Sequence, residues 1–229
     1  MRKQFVQKMP MTRQRVGVAQ PLWALEFNGS SDYFSVADSA ELRLGTDDFT
    51  FSFWEKPDST GSANNNNVRI DKGGVSGSGS IYLYQNNGYR LRINGSDVFD
   101  GLSSIIFNEW NHIAIVRDGN NILFYRNGAE LGSWSGWGSV NINATANLFF
   151  GSAGGSTRFY KGQLDDIRMW NKALSQSEIQ DSMTDSLTGS ETDLAAYWPM
   201  NEGSGNTVYD ESASNNDGTI VGATWVKRE

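Results

Sequence analysis

The stretch FYKGQLDDIRMWNKALSQSEIQD, Phe159 to Asp181, decides the fold. Gln163 to Trp170 places Leu164, Ile167 and Trp170 among polar residues, the pattern of a half-buried strand. Asn171-Lys172 breaks that strand. Ser175 with Glu178 three residues later spells a capping box, in which each side chain satisfies an orphan amide at a helix start. Ala173, Leu174, Ile179 and Met183 then give a short helix a weak apolar stripe. Inside the strand, Asp165 and Asp166 stand side by side. Two carboxylates in an apolar strand need cations, backbone donors or solvent. In a regular strand, neighbours point to opposite faces, so the pair is not expected to close over one substrate bond.

The rest of the chain reads as strands and turns. Leu22 to Phe27 and Tyr33 to Val36 flank the turn Asn28-Gly29-Ser30-Ser31. Phe49, Phe51 and Phe53 share one face of the next strand, which Pro57 ends. Residues 58–67, with Asn64 to Asn67 in a row, read as a polar loop. Val68–Ile70, Ile81–Tyr84, Tyr89–Ile93, Trp110–Arg117, Ile122–Arg126, Leu148–Phe150 and Ala195–Met200 complete about a dozen strands. Asn127-Gly128 is the strongest hairpin signal among them. The expectation is an all-β, two-sheet antiparallel jelly-roll sandwich with one short helix. Residues 1–21 form a basic arm and residues 22–229 one domain.

The run from Phe159 to Ile179 resembles the closing part of laminin G-like, concanavalin A-like jelly-roll domains, which carry G-x-[IL]-D-[ED]-[VI]-R-[IVM]-[WY]-N-x-A-L-[ST]-x-x-E-I. Ala24 to Leu42, Phe49 to Trp54 and Trp110 to Val116 are similar to that family's first and central strands. Ala196 to Gly205 and Asp217 to Trp225 resemble a segment that follows or separates such domains in multidomain surface proteins. The resemblance implies recognition or adhesion and leaves the ligand open. It also implies a calcium ion, with Asp32, Asn28, Gly29 and Asp165 at the matching positions. In the competing reading, Asp32 caps a turn and Asp165 accepts backbone amides. Trp54, Trp110, Trp170 and Trp198 match core positions of the family.

Composition narrows the chemistry. Among 229 residues there is no Cys and one His, His112, which removes thiolate zinc sites and most His-based catalysis. Alternate acids of the type E-x-D-x-E, which glucanases on this fold use, do not occur. Gly73 to Gly79 lacks the Lys-Ser/Thr and helix of a phosphate loop. Residues 1–20 carry Arg2, Lys3, Lys8, Arg13 and Arg15 and no acid, whereas the remainder carries 14 bases against 26 acids. An acidic body argues against nucleic acid, and a basic arm suits docking onto an acidic neighbour. No run approaches the ~18–20 apolar residues of a membrane span. No stretch has the build of a secretory signal.

The function expected is therefore non-catalytic recognition. A carbohydrate-binding reading uses Trp134 and Trp137 as an aromatic platform in a Gly/Ser-rich loop, with Asn86 and Asn87 beside it. The competing reading is a building block of a larger assembly, a homo-oligomer, virion decoration or fibre, anchored through the basic arm. The two can coexist, at an extracellular surface or on a virion.

Overall fold

The computed structural model describes residues 23–61 and 67–229. The basic arm, with Arg2, Lys3, Lys8, Arg13 and Arg15, and residues Asn64 to Asn66 lie outside them. The chain runs through β1 (Trp23–Asn28), β2 (Tyr33–Val36), β3 (Phe49–Pro57), β4 (Val68–Lys72), β5 (Ile81–Gln85) and β6 (Tyr89–Ile93). It continues through β7 (Ser96–Leu102), β8 (Asn111–Asp118), β9 (Asn121–Arg126), β10 (Ala129–Ser135), β11 (Leu148–Phe150) and β12 (Lys161–Trp170). After α1 (Gln176–Ser182) come β13 (Leu194–Trp198), β14 (Thr207–Val208), β15 (Gly218–Val221) and β16 (Thr224–Lys227).

These strands build two antiparallel sheets. The first has the order β10-β9-β8-β3-β12-β1-β16, with β13 added to β12. The second has the order β14-β15-β2-β11-β4-β5-β6-β7. Alternation within each strand fills the space between them: Phe49, Phe51 and Phe53 of β3 meet Phe34, Ile70 and Phe150 of the second sheet in one core. The tail is not an appendage, because β15 pairs with β2 and β16 with β1.

α1 covers the outer face of the first sheet. Its capping box forms as the sequence expects: Ser175 accepts from the Glu178 amide, and Glu178 accepts from the Ser175 amide at 2.7 Å. Leu174 and Ile179 pack there on Ala114, Val116 and Trp170.

The acid pair departs from expectation. β12 keeps register with β3 up to Asp165↔Trp54 and resumes at Arg168↔Ser52, with a β-bulge between. Asp166 sits in the bulge at φ 52°. The extra residue turns both carboxylates toward the outer face instead of opposite ones. Asp165 faces Arg228, while Asp166 receives Arg168 through two hydrogen bonds of 3.0 and 2.9 Å. All four side chains are at most 4% exposed. Arg168 also donates to the carbonyls of Ser182 and Asp185, which fastens the end of α1 to the sheet.

A third buried ion pair joins the sheets through the core. Arg69 of β4 donates to Glu55 of β3 at 2.8 Å, and the Tyr89 hydroxyl donates to the other Glu55 oxygen at 2.6 Å. The Arg69 guanidinium lies 4.9 Å from the ring centre of Tyr160. Removing one partner of such a pair leaves the other charge stranded. We predict that Glu55→Leu lowers stability by about 3–5 kcal/mol in denaturant unfolding, and that adding Arg69→Met recovers most of it. A double variant as unstable as the single one would contradict this.

Candidate functional site

β1 and β2 belong to different sheets, as do β15 and β16, so two chain crossings meet at one corner of the sandwich. The first crossing is the Asn28–Asp32 turn. Asn28 Oδ1 accepts the amides of Ser30 and Ser31, and Asp32 returns the favour by accepting the Asn28 amide at 2.9 Å. The second crossing, at Gly222, packs against the first. A Cβ there would fall 2.2 Å from Asp32 Oδ1, and φ is +78°, so only glycine fits.

A cleft of about 660 Å³ opens at this corner, lined by β1, β12 and β3 and by the turns around them. Its floor follows from register. Thr224, Glu26, Gln163 and Lys56 lie directly opposite one another on four adjacent strands, on the outer face. Their inward neighbours, Leu25, Phe27 and Leu164, are in the core. Gly162, also in the lining, has no room for a side chain: a Cβ would meet the Lys56 carbonyl at 2.5 Å. That tight approach keeps β12 and β3 flat against each other beneath the cleft.

The walls are polar and mostly held in place. Asp58 accepts from the Thr60 amide and hydroxyl at 2.6 and 2.7 Å, and Lys161 Nζ donates to that hydroxyl at 2.6 Å. Asn108 donates to Ser59 and accepts from its amide. Gln163 Nε2 donates to Glu26 at 3.2 Å, while Gln163 Oε1 is buried and accepts from no group among the described residues. The cleft thus offers a row of donors and acceptors, several of them held by one another.

Asp58 of the cleft is not set as a general acid. The Thr60 hydroxyl, with the Thr60 amide and Lys161, holds the Asp58 carboxyl below its usual range, the opposite of what a general acid requires. Burial pushes the Asp71 and Glu202 carboxyls up, but neither lines the cleft. Asp71 is committed to the amides of Gly74 and Gly154.

The oxygen set expected for calcium does not assemble. Asn28, Gly29 and Asp32 share one turn, but Asp165 lies four residues along β12 from the partner of Asn28 and is paired with Arg228. Asp32 spends its oxygens on the Asn28 amide and the Ser31 hydroxyl. Lys161 Nζ, not an anion, stands 3.7 Å from Asp58. Among the described residues no group of three His, Asp or Glu side chains is placed to hold a metal ion. These side chains do not fit a hard cation, which needs several free oxygens.

The tryptophans expected to form an aromatic platform, Trp134 and Trp137, lie apart from this cleft and from Asn86 and Asn87. Trp134 belongs to β10, opposite Ile122 of β9, and so points inward. It stacks on Phe99 of β7 with ring centres 4.5 Å apart, closing the open edge between the sheets. Trp137 follows, half-buried against the core, with its amide on the Asn120 carbonyl. Asn120 lies at the far end of β8 from the cleft, roughly 25 Å away by strand rise. Asn86 and Asn87 cap the β5–β6 hairpin in the other sheet, and Asn86 donates to Asp100 at 2.7 Å. Trp54, Trp170 and Trp198 are buried as core residues, whereas Trp110 is half-buried.

Strain at the corner is testable. Gly222→Ala should cost at least about 1–2 kcal/mol for the left-handed backbone alone, read as a lower melting temperature. An unchanged melting temperature would show that Asp32 and Gly222 do not lock the two crossings.

Comparison with known proteins agrees with this architecture. No curated protein sequence matches the chain. Among solved structures, a protein from Bacteroides ovatus proposed to bind carbohydrate superposes with a TM-score of 0.71 at 20% identity, over 92% of this chain and 61% of its own. The chain thus spans about three fifths of that relative's length. A heptameric pentraxin from Limulus polyphemus gives 0.57 at 15% identity, over 89% of this chain and 96% of its own. Domain 4 of an extracellular arabinanase from Geobacillus stearothermophilus, solved with arabinotriose, gives 0.51 at 18% identity, over 76% and 80%. Residues 28–180 match the Laminin_G_3 family model, and the chain belongs to the concanavalin A-like lectin/glucanase superfamily.

Proposed function

We propose that this protein is a non-catalytic carbohydrate-recognition module whose ligand seats in the corner cleft. The observation that carries the reading is the polar row Thr224, Glu26, Gln163 and Lys56, set on one face of four adjacent strands and lining one cleft. A sugar hydroxyl is both donor and acceptor, so the hydroxyls of one sugar can meet the Glu26 carboxylate and the Lys56 ammonium in turn. A site built to hydrogen-bond hydroxyls discriminates strongly, since the wrong ligand leaves buried groups unpaired. Support also comes from the described ligand class of the Bacteroides ovatus relative and from the arabinotriose bound by the arabinanase domain. The depressed Asp58 carboxyl and the arginine-paired Asp165 and Asp166 favour binding over hydrolysis.

The charge asymmetry supports a second component of the reading. Five bases in residues 1–20 against an acidic remainder suit attachment to a larger assembly, with the sandwich displayed outward at an extracellular surface or on a virion.

A glycan array followed by titration calorimetry tests the site. The wild type should bind a restricted set of glycans, and Gln163→Ala or Lys56→Ala should weaken each by roughly tenfold or more. Trp137→Ala should leave binding unchanged. Loss on Trp137→Ala with retention in the cleft variants would move the site, and silence across the array would leave the assembly role alone.

A further inference from the structure

Arg228 is held, as Arg69 is, by two aromatic rings and a buried acid, but it lies outside the strand ladders. Beyond β16, the Arg228 side chain reaches across the outer face of the first sheet to β12 and β3. The Arg228 guanidinium lies between two indoles, 4.3 Å from the ring centre of Trp110 and 4.9 Å from that of Trp54. Its far end meets the Asp165 carboxylate. The Trp110 indole N–H donates to the Glu229 carbonyl at 3.1 Å, and the edge of Trp54 is backed by His112 at 5.2 Å. Two aromatic faces within cation–π range and a buried acid at the end form a slot that matches a planar, delocalised cation better than an ammonium.

The other deeply buried arginines, Arg69, Arg117 and Arg168, project from strands in the interior of the sheets. None can leave without breaking a ladder. Arg228 can, because it follows the last residue of the edge strand β16. The Trp54 and Asp165 walls belong to β3 and β12, and Trp110 immediately precedes β8, so all three stay in place when it goes.

We propose that Trp54, Trp110 and Asp165 form a guanidinium-binding clamp, filled in cis by Arg228 and open to an arginine side chain of another polypeptide when that segment withdraws. The clamp lies on the same outer face, two residues along β12 and β3 from Gln163 and Lys56, shares no lining residue with the cleft, and does not depend on the carbohydrate reading.

The test is chemical rescue of Arg228→Ala with L-arginine amide. The variant should show saturable tryptophan quenching, with half-saturation on the order of millimolar, and a rising melting temperature as the slot fills. The wild type should show no saturable response, because its slot is occupied. Adding Trp110→Ala to the variant should abolish the response, and lysine amide should bind several-fold more weakly. No saturable quenching in Arg228→Ala, an equal response in the wild type, or equal affinity for lysine amide would each overturn the proposal. If Arg228→Ala does not fold, nitrogen-15 spectra of the wild type decide. The Arg228 Nε–H should be shifted by the two ring currents and exchange slowly, and a signal typical of an exposed arginine would overturn it.

Discussion

The β-bulge at Asp165–Asp166 is the constraint on which the rest of this structure depends. One extra residue in β12 turns two adjacent carboxylates to the same outer face, where burial would be prohibitive without compensation. The compensation fixes everything nearby. Asp166 takes Arg168, and Arg168 in turn holds the chain after α1 through two carbonyls. Asp165 takes Arg228 and so draws the chain after β16 across the sheet. The bulge also marks where β12 changes partners, pairing with β1 before it and with β13 after it.

The same strand sets the cleft. Before the bulge, Gly162 brings β12 close to β3 and Gln163 stands in line with Glu26 and Lys56. The two crossings between sheets form the cleft's wall and are locked to each other through Asp32 and Gly222. The Glu55–Arg69 pair holds the sheets together through the core beneath. The cleft's polar groups are therefore fixed before any ligand arrives, which lowers the entropic cost of binding. With its walls held in place and the Asp58 carboxyl kept below its usual range, such a site suits recognition.

Local features were legible from the residues alone. The capping box at Ser175 and Glu178, the hairpin at Asn127-Gly128 and the strands Tyr33–Val36, Tyr89–Ile93 and Leu148–Phe150 stand where alternation and turn chemistry put them. β7 escaped because Ser96, Asp97, Asp100 and Gly101 leave no apolar alternation, its charges being met by Arg90 and Arg92 on β6. β15 and β16 are defined by their pairing with β2 and β1. The bulge was invisible for a related reason: alternation alone gives adjacent acids opposite faces, and only the ladder with β3 reveals the extra residue. Trp134 and Trp137 looked exposed because Gly and Ser surround them, yet Trp134 seals an edge that exists only once β7 and β10 are brought together. The cleft depends on cross-strand register among residues more than a hundred positions apart, which no local pattern encodes.

The most direct test of this account is a chemical-shift titration of the nitrogen-15-labelled protein with oligosaccharides, neutral and acidic. Recognition at the corner predicts that shifts concentrate on the Gln163 side-chain amide and on the backbone amides of residues 26–28 and 161–163, leaving the Trp137 indole unmoved. Shifts centred on Trp134 and Trp137, with residues 26–28 and 161–163 silent, would contradict it.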